Sequence, residues 1–166
     1  MMLLTFIQTE ATELSIIFCC LILSAFFSSS ETAITSLGTL KVKHLIDSQG
    51  KATAHLKIWL SHPGRVITTI LVFNNIVNIL ASSITTHITT RYLASGAIGL
   101  ATGITTFLVL VFGEIIPKSF AKTHSERIGI LSMKVILVVY YLTYPVIIIL
   151  SDFADFVIKL ISGGKK

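Results

Sequence analysis

Long apolar runs separated by short basic segments set the plan of this chain. Leu14 to Phe27 is apolar, passes into Ser28-Ser29-Ser30-Glu31-Thr32-Ala33 and continues to about Leu37, which reads as one helix whose second half is polar on one side. A second run, Val66 to about Thr90, follows Pro63-Gly64, and proline suits the first turn of a helix. It is unusually polar, carrying Asn74, Asn75, Asn78, Ser82, Ser83, Thr85, Thr86 and His87. A turn at 91–95 leads to a third run ending near Phe120, and Ile128 to Leu150 forms a fourth. A membrane-crossing helix needs about 20 mainly apolar residues, which the first three runs supply. The fourth has the length, but Lys134 interrupts it, Pro145 breaks it, and Tyr140, Tyr141 and Tyr144 suit the headgroup zone. Between the first two runs, KVKHLIDSQ and KATAHLKIWLSH are short amphipathic pieces split at Gly50. Leu45, Ile46, Leu56, Ile58, Trp59 and Leu60 give them apolar faces that suit the membrane interface.

The pattern predicts an all-α integral membrane protein forming one transmembrane domain over 1–166. Its expected parts are spans at about 10–37, 64–90 and 96–121, interfacial helices at 39–61, and a juxtamembrane helix at about 124–160. Basic residues orient it. The first 40 residues hold no Lys or Arg, 37–65 holds five, the 91–95 turn one, and 118–134 four. Positive charge stays inside, so the N-terminus is expected outside and the C-terminus, with Lys159, Lys165 and Lys166, in the cytosol. Ser95, Gly99 and Gly103 repeat every four residues, a small-residue face that serves either packing within one protomer or a dimer contact.

Composition agrees with a lipid setting. Of 166 residues, 53% are hydrophobic and 13% charged, about half the charge of a soluble domain. The net charge of +5 sits in the loops, without the interleaved aromatics and arginines of a nucleic-acid groove, so no nucleic-acid partner is expected. Cys19 and Cys20 are adjacent within an apolar run and read as small apolar filler. Leu3 to Phe27 has no basic segment before it and is not expected to be a cleaved signal peptide.

The chemistry gathers around FLVLVFGEIIPKSFAK, residues 107–122. Glu114 lies inside the apolar run, and an ionised carboxylate in a bilayer costs about 2.5–3.5 kcal/mol or more, which marks it as a functional candidate. Pro117 has no N–H, so in an α-helix the Gly113 carbonyl loses its donor. Two other clusters fall at comparable depth. Ser24, Ser28, Glu31 and Thr35 share one face of the first helix, and Asn74 and Asn78 share a face of the second with Asn75 beside them. A lone membrane Ser or Asn is ordinarily helix glue, but three Asn in five residues each need a partner when desolvated. Hydroxyl, amide, carbonyl and carboxylate oxygens without thiolate or imidazole select hard cations, Mg²⁺, Ca²⁺ or alkali ions. One carboxylate among neutral oxygens suits Mg²⁺, which keeps several waters. His44, His55, His62 and His124 fall in basic loops too loosely spaced for a metal site, and Thr85 to Thr90 mark the outer end of the second span. An intramembrane hydrolase is disfavoured, since no Lys or His lies at the depth of Ser24 to Ser30, so no enzyme is expected.

SAFFSSSETAITSL at 24–37, FNNIVN at 73–78 and GEIIPKSFA at 113–121 resemble the transmembrane domain of the CorC/cyclin M (CNNM) family of magnesium transporters, in order over nearly the whole chain. The resemblance implies three transmembrane helices in the cell (inner) membrane, a homodimer, and one Mg²⁺ site per protomer in an acidic inward-facing cavity. It implies Mg²⁺ efflux coupled to Na⁺, with a Mg²⁺-sensing or scaffolding module without transport as the alternative. Family members continue into cytosolic CBS domains, which these residues do not include. Carried over position by position, the metal group would be Ser24, Ser28, Asn74, Asn75, Asn78, Gly113 and Glu114. Ser24, Ser28, Asn75 and Glu114 are expected innermost, with Asn74 and Asn78 open to a helix-glue role. Glu31 either contributes to the cavity charge or Na⁺ coupling, or pairs with Lys118.

Overall fold

The computed structural model describes residues 2–92 and 95–161; two residues of the expected 91–95 turn, and Lys165 and Lys166, lie outside them. It is all-α among the described residues. Helix α1 spans Met2–Gln49, α2 Lys57–Ser61, α3 Pro63–Tyr92, α4 Ser95–Leu108, α5 Ile116–Thr123, α6 Ser125–Leu142 and α7 Tyr144–Ile161. Two 3₁₀ turns, Gly50–Ala52 and Ala54–Leu56, link α1 to α2, and a π-helical segment, Val109–Ile115, joins α4 to α5. Three stretches are long and apolar enough to cross a membrane: Ala11–Gln49, Pro63–Arg91 and Gly99–Thr123.

Local sequence explains the breaks. Inside α1, Gly38 takes φ 65° and ψ 164°, a conformation that strains any residue with a Cβ, so α1 is two helical segments joined at a kink there. Gly50 again has positive φ, at 55°, and ends α1. The tail is two helices where the sequence suggests one over 124–160. The break falls at Thr143, whose N–H still bonds the Val139 carbonyl while Val146 and Ile147 restart on the Thr143 carbonyl. Pro145 lies in the first turn of α7, where its missing donor costs nothing.

The chain forms two compact units, to both of which α1 and α3 contribute. The first comprises Met1–Ser29 and Phe73–Thr123. Its interior holds Cys20, Phe27, Val77 and Ala81, with Phe27 stacked on Phe73 at 5.8 Å between ring centroids. Polar groups are also buried here, namely Ser24, Ser28, Asn74, Thr85 and Thr89. Thr85 and Thr89 donate to carbonyls four residues back on their own helix, so their burial is satisfied locally. Phe18, Ile22, Ile79, Leu100 and Phe107 are exposed, as expected of side chains that meet lipid.

The second unit comprises Ser30–Val72 and His124–Lys166. Ile34, Leu37, Val42, Ile70, Met133, Ile136, Tyr140 and Ile147 fill its core. Leu45, Leu56 and Trp59 are buried in it as well, although the sequence suggests faces turned to the membrane interface; Ile46, Ile58 and Leu60 are half-buried. Hydrogen bonds fasten this segment. The Thr53 hydroxyl donates to the Leu45 carbonyl at 2.9 Å, and His55 Nε2 lies 2.8 Å from the Ile130 carbonyl oxygen. Lys41 pairs with Glu126 at 3.0 Å, an exposed ion pair of small energetic weight.

Helix α6 packs against α1 at Gly129, where an added Cβ would stand 2.7 Å from Leu37 Cδ1. Gly129→Leu is therefore expected to destabilise the domain by about 1–3 kcal/mol through overpacking. The check is thermal unfolding in detergent beside Gly64→Leu, where nothing lies within 4 Å of the added Cβ. Equal midpoints for the two variants would show that α6 does not pack on Leu37.

Candidate functional site

The site begins with a defect in a helix. An α-helix closes N–H to carbonyl bonds over four residues, and Pro117 cannot supply one. In the structure the ladder slips into π register upstream of it. The N–H of Ile116 bonds the Val111 carbonyl, five residues back, and π geometry covers Val109–Ile115. Single π segments of this kind recur at functional sites, because the widened turn re-aims side chains and carbonyls. Here it carries Gly113, which is buried, and Glu114, which is half-buried.

Gly113 brings that segment against α1. A Cβ at this position would lie 2.8 Å from Ser24 Oγ and 3.2 Å from Ser24 Cβ, so only glycine permits the approach. Ser24 Oγ sits 3.4 Å from the Gly113 carbonyl oxygen and 3.3 Å from Asn74 Oδ1. One hydroxyl proton thus serves two acceptors at long range, and three oxygens of different chemical type converge in a buried spot. Adjacent oxygens around a six-coordinate cation with ligands at about 2.1–2.4 Å stand roughly 3.0–3.4 Å apart. The two separations from Ser24 Oγ, 3.3 Å to Asn74 Oδ1 and 3.4 Å to the Gly113 carbonyl oxygen, fall at the top of that range.

One helical turn along α3, Asn78 Nδ2 donates to Glu114 Oε1 at 3.0 Å. The other face of that amide is unused, since Asn78 Oδ1 is buried without a hydrogen-bond partner among the described residues. Ser28 Oγ, one turn from Ser24 on α1, is likewise fully buried and unpartnered. Buried polar atoms without partners cost about 1–3 kcal/mol each, and such exceptions call for an explanation. Two orphan oxygens beside a hydroxyl–amide–carbonyl cluster have one in common: they are available ligands.

The expected residues separate accordingly. Ser24, Asn74 and Gly113 come together directly, Asn78 joins Glu114, and Ser28 is buried with its lone pairs free. Ser29 turns back to its own helix, donating to the Phe26 carbonyl at 2.9 Å. Asn75 is exposed, and the structure does not bring it to this group. It lies about 100° around the helix from Asn74, and Asn74 and Asn78 hold the inward face in its place. Lys118 is half-buried on α5 in the first unit, and Glu31 is half-buried on α1 in the second.

A cavity of about 190 Å³ adjoins Glu114, lined by Asn78, Ser82, Thr105, Thr106, Val109 and Leu110. Thr105 and Thr106 escaped the sequence reading. The available signal was their place two turns before Gly113 and Glu114, on the same helix as the carboxylate. Toward the end of α3, His87 Nδ1 stands 3.2 Å and Arg91 3.5 Å from Glu13 Oε1. That contact ties the start of α1 to the end of α3.

Three apolar helices of spanning length, with a carboxylate and buried unpaired oxygens on their inner faces, define a multi-pass helical membrane domain. The chain belongs to the family of the cyclin M transmembrane N-terminal domain (CNNM), whose description matches residues 15–166. It is similar to a UPF0053 protein of Haemophilus influenzae, with 34% identity over 91% of this chain and 36% of that protein. Similarity extends to the UPF0053 inner membrane protein YfjD of Escherichia coli, with 30% identity over 83% of this chain and 32% of that one. A chloroplastic DUF21 domain-containing protein of Arabidopsis thaliana shares 32% identity over 75% of the chain and 19% of its own length. The chain thus spans about a third of the length of its first two relatives.

The Gly113 contact yields a direct test. Gly113→Ala should lower the unfolding midpoint in detergent, although Ala is otherwise favoured over Gly in a helix by about 0.5–1 kcal/mol. Gly64→Ala, in open space, should leave it unchanged or raise it. A rise for Gly113→Ala would show that the approach to Ser24 is not close.

Proposed function

We propose that this domain carries Mg²⁺ across the cell membrane, binding it midway between Ser24, Ser28, Asn74, Asn78, the Gly113 carbonyl and Glu114. The observation that carries the reading is the buried convergence of Ser24 Oγ, Asn74 Oδ1 and the Gly113 carbonyl at the π segment, one residue from Glu114. The donor set is entirely oxygen with one carboxylate, which suits a hard cation that retains waters. Glu114 supplies the charge. Ser24 and Asn74 offer neutral oxygens, and the orphan Oγ of Ser28 and Oδ1 of Asn78 complete the candidate set. Membership in the cyclin M family favours Mg²⁺ over Ca²⁺ and, by the resemblance, efflux coupled to Na⁺, with Glu31 as a candidate for coupling.

Alternating access follows from the same geometry. A π segment can return to α register by shifting one residue, which would re-aim Glu114 and the Gly113 carbonyl relative to α1 and α3. The reading places the N-terminus outside and the C-terminus in the cytosol, on the strength of the basic residues at 41–65 and 118–134. It also takes the domain as a homodimer, working with cytosolic CBS domains in the longer protein. Gly99 and Gly103 leave room for a partner helix, because no described residue lies within 4 Å of a Cβ built on either. Gly103→Leu is expected to convert cross-linkable dimer to monomer, and an unaltered cross-linking pattern would move the dimer contact elsewhere.

The test of the function is Glu114→Gln in proteoliposomes. Removal of the charged ligand should reduce Mg²⁺ flux at least tenfold and abolish the Mg²⁺-dependent rise in unfolding temperature. Asn74→Ala and Ser24→Ala should each weaken Mg²⁺ binding several-fold. Retention of both flux and the thermal shift in Glu114→Gln would overturn the reading. Binding to the unsubstituted domain without flux would favour the sensing or scaffolding module.

A further inference from the structure

The cavity at Glu114 does not end there. Asn78, Ser82, Thr86 and Thr90 follow one another at intervals of four on α3 and so form one polar stripe. Asn78 and Ser82 line the 190 Å³ cavity with Thr105, Thr106 and Glu114. Ser82 also lines a second, more open cavity of about 460 Å³, together with Ser83, Thr86, His87 and Thr90. Ser82 therefore lies at the edge of both spaces, a less open one at the carboxylate that Val109 and Leu110 also line and an open groove along α3 that includes Ile79.

We infer that this stripe is the outer half of the cation pathway, a hydroxyl-lined route between Glu114 and the membrane face at which α3 ends. The inference rests on the Mg²⁺ reading of Glu114. Its own support is threefold. Thr86 and Thr90 give their hydroxyl protons to the Ser82 and His87 carbonyls, which leaves their oxygens as acceptors along the stripe, and Asn78 and Ser82 are half-buried beside the first cavity. The spaces beside it, about 190 and 460 Å³, are large enough for several waters at about 30 Å³ of liquid volume each, which suits an ion that sheds its hydration reluctantly. The orphan Asn78 Oδ1, buried and adjoining the first cavity, is an unfilled oxygen acceptor at the point where the route meets Glu114. Hydroxyl and amide oxygens can replace ion waters one at a time without trapping the ion, as a fixed second carboxylate would. At the far end the contact of Glu13 with His87 and Arg91 borders the wider cavity, because His87 belongs to both.

The experiment uses cysteines at Ser82 and Thr86 in a background of Cys19→Ser and Cys20→Ala, with Leu80→Cys as the control on an apolar exposed position. A membrane-impermeant thiosulfonate applied from the N-terminal side should label Ser82→Cys and Thr86→Cys at least tenfold faster than Leu80→Cys. That labelling should also block Mg²⁺ flux. Ser82→Leu should lower flux about tenfold while leaving Mg²⁺ affinity in detergent within twofold. Loss of binding in Glu114→Gln with unimpaired flux in Ser82→Leu, or cysteines that do not react and instead cross-link between copies, would overturn the pathway alone. Preserved binding in Glu114→Gln would instead remove the Mg²⁺ reading beneath it. Should Ser82→Leu fail to fold, the labelling rates decide.

Discussion

Backbone hydrogen bonding in lipid leaves almost no freedom, and the loss of one donor at Pro117 is the constraint on which the site depends. In water an unpaired carbonyl would be solvated; in a bilayer it must find a partner or be used. The chain responds by letting the ladder slip to π register over Val109–Ile115. Gly113 then has no side chain to keep α1 away, and Ser24 Oγ reaches to 3.4 Å from its carbonyl. The closeness of that approach fixes Asn74 as the third oxygen, since the same hydroxyl serves both.

Much of this was legible. Glu114 stands out because nothing else in its apolar run is charged, Pro63 and Gly50 punctuate the helices as their backbone chemistry requires, and the i+4 pair Asn74 and Asn78 predicts a shared face. The π segment was not legible, because the missing donor of Pro117 says that a carbonyl is freed but not how the preceding ladder will adjust. Asn75, expected innermost by the resemblance, is exposed here, since one residue is a turn of about 100° on a helix and carries it off the face that Asn74 and Asn78 share. Trp59, Leu56 and Leu45 look like interfacial anchors by composition, yet they are buried, because amphipathicity marks an apolar face without specifying whether lipid or protein covers it.

The second unit does a different task with ordinary means. Its core is aliphatic and aromatic, with Tyr140 against Tyr141 and Tyr144, and its close helix approach at Gly129 accommodates the side chain of Leu37. Among its described residues the unpartnered buried atoms are the Trp59 indole N–H, which can only donate, and the hydroxyls of Ser132 and Ser151, and isolated hydroxyls on helices are commonly structural. The contrast locates the unusual chemistry in the first unit by the kind of unpaired atom rather than by the number.

The partner chosen for Glu114 also bears on what it can do. A lysine or arginine beside it would neutralise the carboxylate and lower the cost of its burial, but would compete with any cation for the same oxygens. Asn78 gives a single neutral hydrogen bond at 3.0 Å to one oxygen and leaves the formal charge in place. That arrangement orients the carboxylate without satisfying it. A carboxyl group held in position within an apolar run, bordered by a cavity of about 190 Å³ and an unused amide oxygen, is costly to place there for stability alone. The cation exchange proposed for this site accounts for that cost, because a bound cation would supply the countercharge.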